Sequence, residues 1–431
     1  MKIFRDPVHG DIFLSNELIE LLDTREMQRL RGIKQLGTAF FVYPGAVHTR
    51  FEHSLGTCFL TGELLNVLRE FGLTVGKKEE LAIKAAALLH DVGHIPFGHT
   101  IEDERCIFSR HDSAERFKAF LTGRGELAKV LTRYKLTEDV LAILSGEAAE
   151  PWRKEIISGT FCADLLDYLA RDAFFCGLPH KYDRRIMRSL RIYNGHLYLD
   201  CQKSGIVRED FISELINLLR LRYFLTERVF FHHTKLASGV MISKLLERAL
   251  RFNVRQEELF HLGDERFLYF LELRAGSDPA VKKLLADLAS RRLYKQAYVL
   301  TCHIGSENRE KLINRYHKDV AARAETEGEL ASRLKVNAED IAIYCPSGSM
   351  QLKEAEVLVK VGVDEPESLA GLDLPEVRTL LDKHKNLWRF YVFAAPEING
   401  KIKRLARLCE DYFGIENHMS DMQSSQLYML L

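Results

Sequence analysis

Six of the 16 histidines, His48, His53, His90, His94, His99 and His111, fall between residues 48 and 111, where a proportional share would be about two. Imidazoles are costly to bury unsatisfied, and they gather where a metal ligand or a proton carrier near neutral pH is wanted. His-Asp occurs twice, at His90-Asp91 and at His111-Asp112, so the dipeptide alone does not choose a site. Context favours the first. It ends the apolar run Leu88-Leu89-His90-Asp91-Val92-Gly93-His94, and Gly93 frees the backbone to turn away, which holds two adjacent ligands over a cavity mouth. His53, in Arg50-Phe51-Glu52-His53-Ser54, can supply a third ligand from another helix. Asp164 can supply a fourth, because a carboxylate flanked by Cys162, Ala163, Leu165 and Leu166 must be paired or bound to a metal. Two imidazoles and two carboxylates make a borderline-hard site with positions open for water, suited to Mn, Fe, Mg or Zn rather than to copper or a structural zinc. A set of satisfied core histidines is the competing reading.

Helices must carry these side chains. Residues 79–90 place Leu81, Ala85, Leu88 and Leu89 on one face, with Gly93 as the stop. Residues 158–175 space Phe161, Leu165, Leu169 and Ala173 at i, i+4, and they align Asp164, Tyr168 and Asp172 on a second face. Helices over 210–231 and 235–252 repeat the pattern. After about residue 260 the texture changes. The runs 333–336, 341–345, 356–361 and 387–393 are β-branched or aromatic and bounded by Gly, Pro and Asn, as strands are. A helix over 403–413 closes this part, and the tail from Asn417 is expected to fray or to dock on a neighbour. The expected fold is mainly α: a helical core over 1–260 carrying the metal chemistry, followed by a smaller α+β region over 261–431 with a regulatory or oligomerisation role.

Composition limits the function classes. The chain has 431 residues, with 61 Lys plus Arg balanced by 61 Asp plus Glu, so a global polyanion-binding surface is excluded while a local basic pocket is not; nucleic acid is not indicated. Hydrophobic residues at 46% and charged ones at 28% are soluble-globular values. The longest stretch without Lys, Arg, Asp or Glu, Gln35 to Thr49, is broken by Gly37, Pro44 and Gly45, and nothing reaches the roughly 18 apolar residues of a membrane span. Charges at Lys2, Arg5 and Asp6 stand where a signal peptide has its apolar core, so the expected location is cytoplasmic. Eight cysteines without a C-x-x-C pair read as buried thiols.

The pattern His53, His90-Asp91, Asp164 resembles the ligand set of HD-domain phosphohydrolases. Within that superfamily the chain is similar to the dNTP triphosphohydrolases, the family of the sterile-alpha-motif/HD-domain protein. The matching text is Asp6-Pro-Val-His-Gly-Asp-Ile12, Gln28 to Gly37, Val42 to Ala46, Arg50 to Gly56, His90 to His94, Pro96 to His99 and Asp167 to Asp172, spanning about residues 1–260. The resemblance implies that His53, His90, Asp91 and Asp164 bind a divalent metal. It implies that water attacks the α-phosphorus of a dNTP, releasing deoxynucleoside and triphosphate. His99 and His111 match the family's catalytic histidines, with His94 nearby and Glu102 or Asp112 placed to orient an imidazole. Arg50 and Arg222 match its phosphate-binding arginines, and Gln35, Leu36, Tyr168 and Asp172 its sugar-selecting residues. Asp23, Gln28 and Arg31 match positions that contact an activating GTP or dNTP between subunits, which implies an allosteric homo-dimer or homo-tetramer. The basic stretch Lys181 to Arg191 reads either as a phosphate-holding interface or as a solvated face, and His232 and His233 are assigned to structure. Two features depart from the pattern: Leu165 stands where the animal enzyme has a phosphate-binding lysine, which keeps mono- and diphosphates open as substrates, and Glu102-Asp103-Glu104-Arg105 after His99 is more acidic than a polyphosphate pocket wants. Two other readings stand beside this one: an HD hydrolase of a nucleoside monophosphate or guanosine alarmone, and a catalytically silent nucleotide-sensing module. The cyclic-dinucleotide subgroup is disfavoured, since no Gly-Tyr-Pro follows the metal motif.

Overall fold

A computed structural model describes residues 1–348, 350–362 and 365–419. The fold is mainly α, with a mixed α/β arrangement in the C-terminal region, as the sequence implied.

The central helix, Arg50–Glu70, starts where Glu52 folds back on Thr49, its carboxylate accepting from the Thr49 backbone N–H at 2.5 Å. It is buried on most sides, so its polar residues must find partners inside the protein. Gly56 on this helix is required by a neighbour: a Cβ there would fall 1.8 Å from Asp167 Oδ1, so only glycine lets the helix Ala163–Phe175 pack this closely. The helix Lys77–Leu89 has Glu79 and Glu80 in its first turn and buries Ala82, Ile83 and Ala85 through Leu89, ending at His90 as its C-cap.

The helix expected over 158–175 starts later. A separate helix, Trp152–Ser158, stops at Gly159, and the chain is extended at Cys162, which caps Ala163–Phe175. Asp164 therefore sits in a first turn, where the helix dipole favours a carboxylate. The other two expected helices are Glu209–Leu225, continued by the turn Thr226–Phe230, and His233–Ala249, continued by Leu250–Phe252.

The N-terminal hairpin and the strand Lys295–Thr301 lie outside the sequence reading, whereas the strands expected at 341–345 and 387–393 and the helix expected over 403–413 are present. Lys2–Asp6 and Gly10–Leu14 form an antiparallel hairpin whose Ile12 and Leu14 face the core. In the C-terminal region a three-stranded antiparallel sheet has Arg389–Ala394 at its centre, flanked by Lys295–Thr301 and Ile341–Tyr344. The helices Val320–Leu334 and Ile402–Phe413 bury Leu330, Leu334 and Leu405 in one cluster with Trp388 and Phe390. The run 333–336 is not a strand. Arg333 and Leu334 close the Val320–Leu334 helix, Leu334 packs inward, and Lys335 turns left-handed at φ +56°. Of 356–361, Glu356 ends a short turn, and only Leu358–Lys360 is a strand.

That strand pairs parallel with His196–Asp200, so a four-stranded sheet joins segments more than 150 residues apart. Near the C-terminus Asn417 docks on Lys295–Thr301, accepting from Val299 N–H at 3.0 Å; the expected tail beyond Met419 lies outside the described residues. The eight cysteines are free thiols, and six of them are buried. No helix among the described residues is long and apolar enough to cross a membrane.

Candidate active site

Three helices converge on one corner. Arg50–Glu70 brings His53, the end of Lys77–Leu89 brings His90 and Asp91, and the first turn of Ala163–Phe175 brings Asp164. Candidate ligand atoms of His53, His90 and Asp91 all lie within 4.8 Å of one another. His53 Nε2 is 3.2 Å from His90 Nε2 and 3.9 Å from Asp91 Oδ2, and His90 Nε2 is 3.4 Å from Asp91 Oδ1. Asp164 joins through the imidazoles, its Oδ1 lying 3.0 Å from His53 Nε2 and 3.9 Å from His90 Nε2. Donors held about 2.1 Å from a common ion stand about 3.0 Å apart at right angles and about 4.2 Å apart across it, so the spacings among His53, His90 and Asp91 fit a single divalent cation, with Asp164 within the same range of both imidazoles. Electrostatics agrees. Burial works against the charged form of His53, yet its hydrogen bonds to Asp164 and Asp167 push its pKa up to about 10, the mark of a corner short of positive charge.

The corner is also braced from behind. Asp167, fully buried, places Oδ2 2.7 Å from His53 Nδ1 and Oδ1 2.6 Å from His9 Nε2. Arg171 donates to both Asp167 oxygens at 2.8 and 2.9 Å and to Asp6 at 2.8 Å. This fixes which nitrogen of His53 faces the site, as a carboxylate behind a ligand histidine does. Asp6, His9 and Asp167 lie in the motifs singled out in the sequence but received no role there, and Arg171, a candidate partner for Asp172, turns to Asp6 and Asp167 instead. The available signal was a second aspartate, three residues after Asp164, in an apolar stretch. Arg50 braces the other side, donating to Asp91 at 2.6 Å.

Beside the corner, three histidines crowd together. The rings of His94 and His111 stack at 3.4 Å between centroids, and His99 stands edge-on to both. Both nitrogens of His94 are buried without a hydrogen-bond partner. Burial, with Arg50 and His111 alongside, holds its pKa well below the usual value, so it is a neutral imidazole. Glu102 is the residue that orients His111, Oε2 accepting from its backbone N–H at 3.0 Å and lying 3.1 Å from Nδ1. Asp112 instead pairs with Arg110. His99 Nδ1 lies 2.7 Å from Asp103 Oδ2, half exposed. Gly98 is needed here because a Cβ would meet His94 Nδ1 at 2.6 Å.

Residues from far along the chain hold this loop. Phe97 sits at φ +53°, strained for a side chain, and its N–H donates to Asp264 Oδ1 at 3.3 Å. The other oxygen of Asp264 accepts from Lys34 N–H at 2.9 Å, next to Gln35. Arg105, 1% exposed, anchors the end of the loop between Glu247 at 3.0 Å and Glu327 at 3.3 Å. No local sequence signal marks Asp264 or Arg105.

The remaining sequence candidates separate into groups. Tyr168, one helical turn after Asp164, packs against Arg222, whose guanidinium carbon is 5.5 Å from the ring centre. Leu36 is buried, and Gln35 Oε1 is buried without a partner. Asp172 is buried against His48, Oδ1 to Nε2 2.8 Å, a partner not anticipated for it. Away from the corner, Gln28 and Arg31 touch at 3.0 Å, while Asp23 turns to Lys2 at 2.9 Å. Within the basic stretch, Arg185 and Arg188 pair with Asp183 and Glu70. His232 serves as a helix cap, its ring accepting from Thr234 N–H at 3.2 Å.

Comparison with known proteins agrees with this geometry. Residues 50–172 match the HD domain and residues 183–424 match the HD associated region. An uncharacterised protein of Methanocaldococcus jannaschii is 31% identical over 305 residues, covering 68% of this chain and 59% of its own length. The deoxynucleoside triphosphate triphosphohydrolase SAMHD1 of Gallus gallus is 29% identical over 346 residues, covering 68% of this chain and 56% of that protein. The chain thus spans about three fifths of the length of the curated relatives it matches. A solved phosphohydrolase from Bacteroides thetaiotaomicron superposes with a TM-score of 0.69 at 23% identity, covering 92% of this chain and all of that one. A hypothetical protein from Aquifex aeolicus gives 0.68 at 25% identity, over 94% of this chain and 99% of the other. With both family segments matched in order and a metal-ready His/Asp corner inside the first of them, the chain belongs to the HD-domain phosphohydrolases, an HD domain followed by its associated region.

Proposed function

We propose that this phosphohydrolase acts on deoxynucleoside triphosphates, releasing the deoxynucleoside and triphosphate, with His53, His90, Asp91 and Asp164 as its metal ligands. The observation that carries the reading is the set of spacings of 3.0 to 3.9 Å around one corner, next to buried imidazole nitrogens that have no protein partner. A divalent ion held there supplies charge that makes water a better nucleophile and draws electrons from a phosphoryl oxygen. Asp167 and Arg50 keep His53 and Asp91 in place for it. In the reaction, a water oxygen bonds to the α-phosphorus while the bond from that phosphorus to the 5′ oxygen breaks, and the 5′ oxygen takes up a proton. His111, oriented by Glu102, is the proton donor, with His94 and His99 packed beside it on the path. Tyr168, packed under the sugar, disfavours a 2′-hydroxyl by size, with Gln35, Leu36 and Asp172 around it. Arg50 and Arg222 face the phosphates.

Residues 1–260 form the catalytic part in this reading and 261–431 the regulatory or oligomerisation part. An activating GTP or dNTP binds near Asp23, Gln28 and Arg31 of a cytoplasmic homo-dimer or tetramer. Similarity to SAMHD1 supports these finer points. A second reading, hydrolysis of a nucleoside monophosphate or another phosphate ester, is favoured by Leu165, which leaves the position after Asp164 without a cation. Chromatography of dATP and dGTP reactions with Mn²⁺, with and without GTP, tests the choice. Deoxynucleoside and triphosphate are expected, whereas orthophosphate or pyrophosphate moves the attack to another phosphorus, and turnover of ribonucleoside monophosphates alone overturns the sugar-pocket argument.

A further inference from the structure

Arg222, near the end of the helix Glu209–Leu225, is already partly occupied. Its Nη1 donates to Thr226 Oγ1 at 3.3 Å and its Nε to Glu354 Oε1 at 3.1 Å, while Nη2 makes no hydrogen bond among the described residues. The Tyr168 hydroxyl donates to the same glutamate oxygen at 3.3 Å. Glu354 comes from the associated region, on the short turn Lys353–Glu356. That turn is pinned by Ala370 N–H to Ala355 O at 2.9 Å and runs into Leu358–Lys360, the strand paired with His196–Asp200. A protein-supplied anion therefore stands on the wall formed by Tyr168, one helical turn from Asp164, and holds two donors that a phosphate oxygen would use. Nothing on the helix Ala163–Phe175 offsets it: Leu165 follows Asp164, and Arg171 is turned to Asp6 and Asp167.

We propose that Glu354 is a built-in competitor for the substrate's phosphate tail at Arg222, and so the residue that sets how strongly the pocket responds to phosphate-chain length. The inference rests on the phosphohydrolase reading above. With Glu354 in place, Arg222 is matched before substrate arrives, and each added phosphate gains attraction from Nη2 while meeting repulsion from the carboxylate. Glu354→Gln keeps an acceptor for Arg222 and Tyr168 and removes the charge.

The test is calorimetric titration of the whole chain in excess Mn²⁺ with orthophosphate and with inorganic triphosphate, which needs no turnover. The ratio of the two dissociation constants is expected to move by about tenfold or more toward triphosphate in Glu354→Gln, the scale of one charge removed from a partly buried anion site. An equal change for both anions, or none, overturns the proposal, since a merely structural glutamate would shift the melting temperature and not the ratio. The wild type alone gives a second check. Triphosphate is expected to bind less than about tenfold more tightly than orthophosphate, and a larger preference overturns the proposal. Failure of the parent reading looks different, as a chain that binds no Mn²⁺ and cleaves no nucleotide.

Discussion

The candidate metal corner and the wall proposed for the substrate share the helix Ala163–Phe175, yet they are built in different ways. Every candidate ligand comes from residues 53–164, and the supports behind them come from within 6–171. That wall and the loop from Phe97 to Arg105 are completed from the other half of the chain, by Asp264 on Lys34 and Phe97, by Glu247 and Glu327 on Arg105, and by Glu354 on Arg222 and Tyr168. The candidate metal ligands and their supports are thus self-contained in one segment, while the residues beside them depend on contacts across the chain.

The largest effect should come from cutting the corner itself. His90→Ala or Asp91→Ala should lower phosphohydrolase activity by about 10³-fold or more and remove the bound metal, since several kcal/mol of charge stabilisation is lost. Retained turnover in either variant would mean the corner is not where the reaction occurs. Arg105→Ala removes a buried guanidinium from between Glu247 and Glu327, leaving them to Arg323 and Lys244, and should cost about 3 kcal/mol in denaturant unfolding. A cost below about 1 kcal/mol would show that the loop from Phe97 to Arg105 does not depend on the associated region.

The next effect is a pH dependence. Burial raises Asp264 to about 6, outweighing its hydrogen bonds from Lys34 and Phe97. Its native pKa thus exceeds its unfolded one, so its contribution to stability is full below about pH 4 and is lost as pH rises through about 6, by about 3 kcal/mol in all. The stability difference between wild type and Asp264→Asn, followed from pH 4 to 7, should move by that amount against the wild type; a flat difference removes Asp264 from the account. Smallest is Asp167→Asn, expected to weaken metal affinity by about 10- to 100-fold through a misdirected His53. Unchanged affinity would show that the corner stands without its brace.

The same division decides what the sequence made legible. His90-Asp91 could be read because adjacent residues at the end of an apolar helix declare themselves locally, and Asp164 because a carboxylate among apolar neighbours has to be explained. Asp167 had the same local signal but lay in its shadow. Glu354 and Asp264 carried none, since their partners lie more than 130 residues away and only tertiary packing brings them together. Two local misreadings have equally plain causes. Gly159 breaks what periodicity read as one helix from 158, and Leu334 looked like part of a strand because a buried last-turn leucine and a buried strand leucine have the same neighbours in sequence.

The central claim is that one divalent ion sits among His53, His90, Asp91 and Asp164. Elemental analysis of the purified native chain tests it most directly. The account predicts close to one transition-metal ion per chain, lost in His90→Ala while the protein stays folded. A folded native chain that carries no metal and takes none up would contradict it.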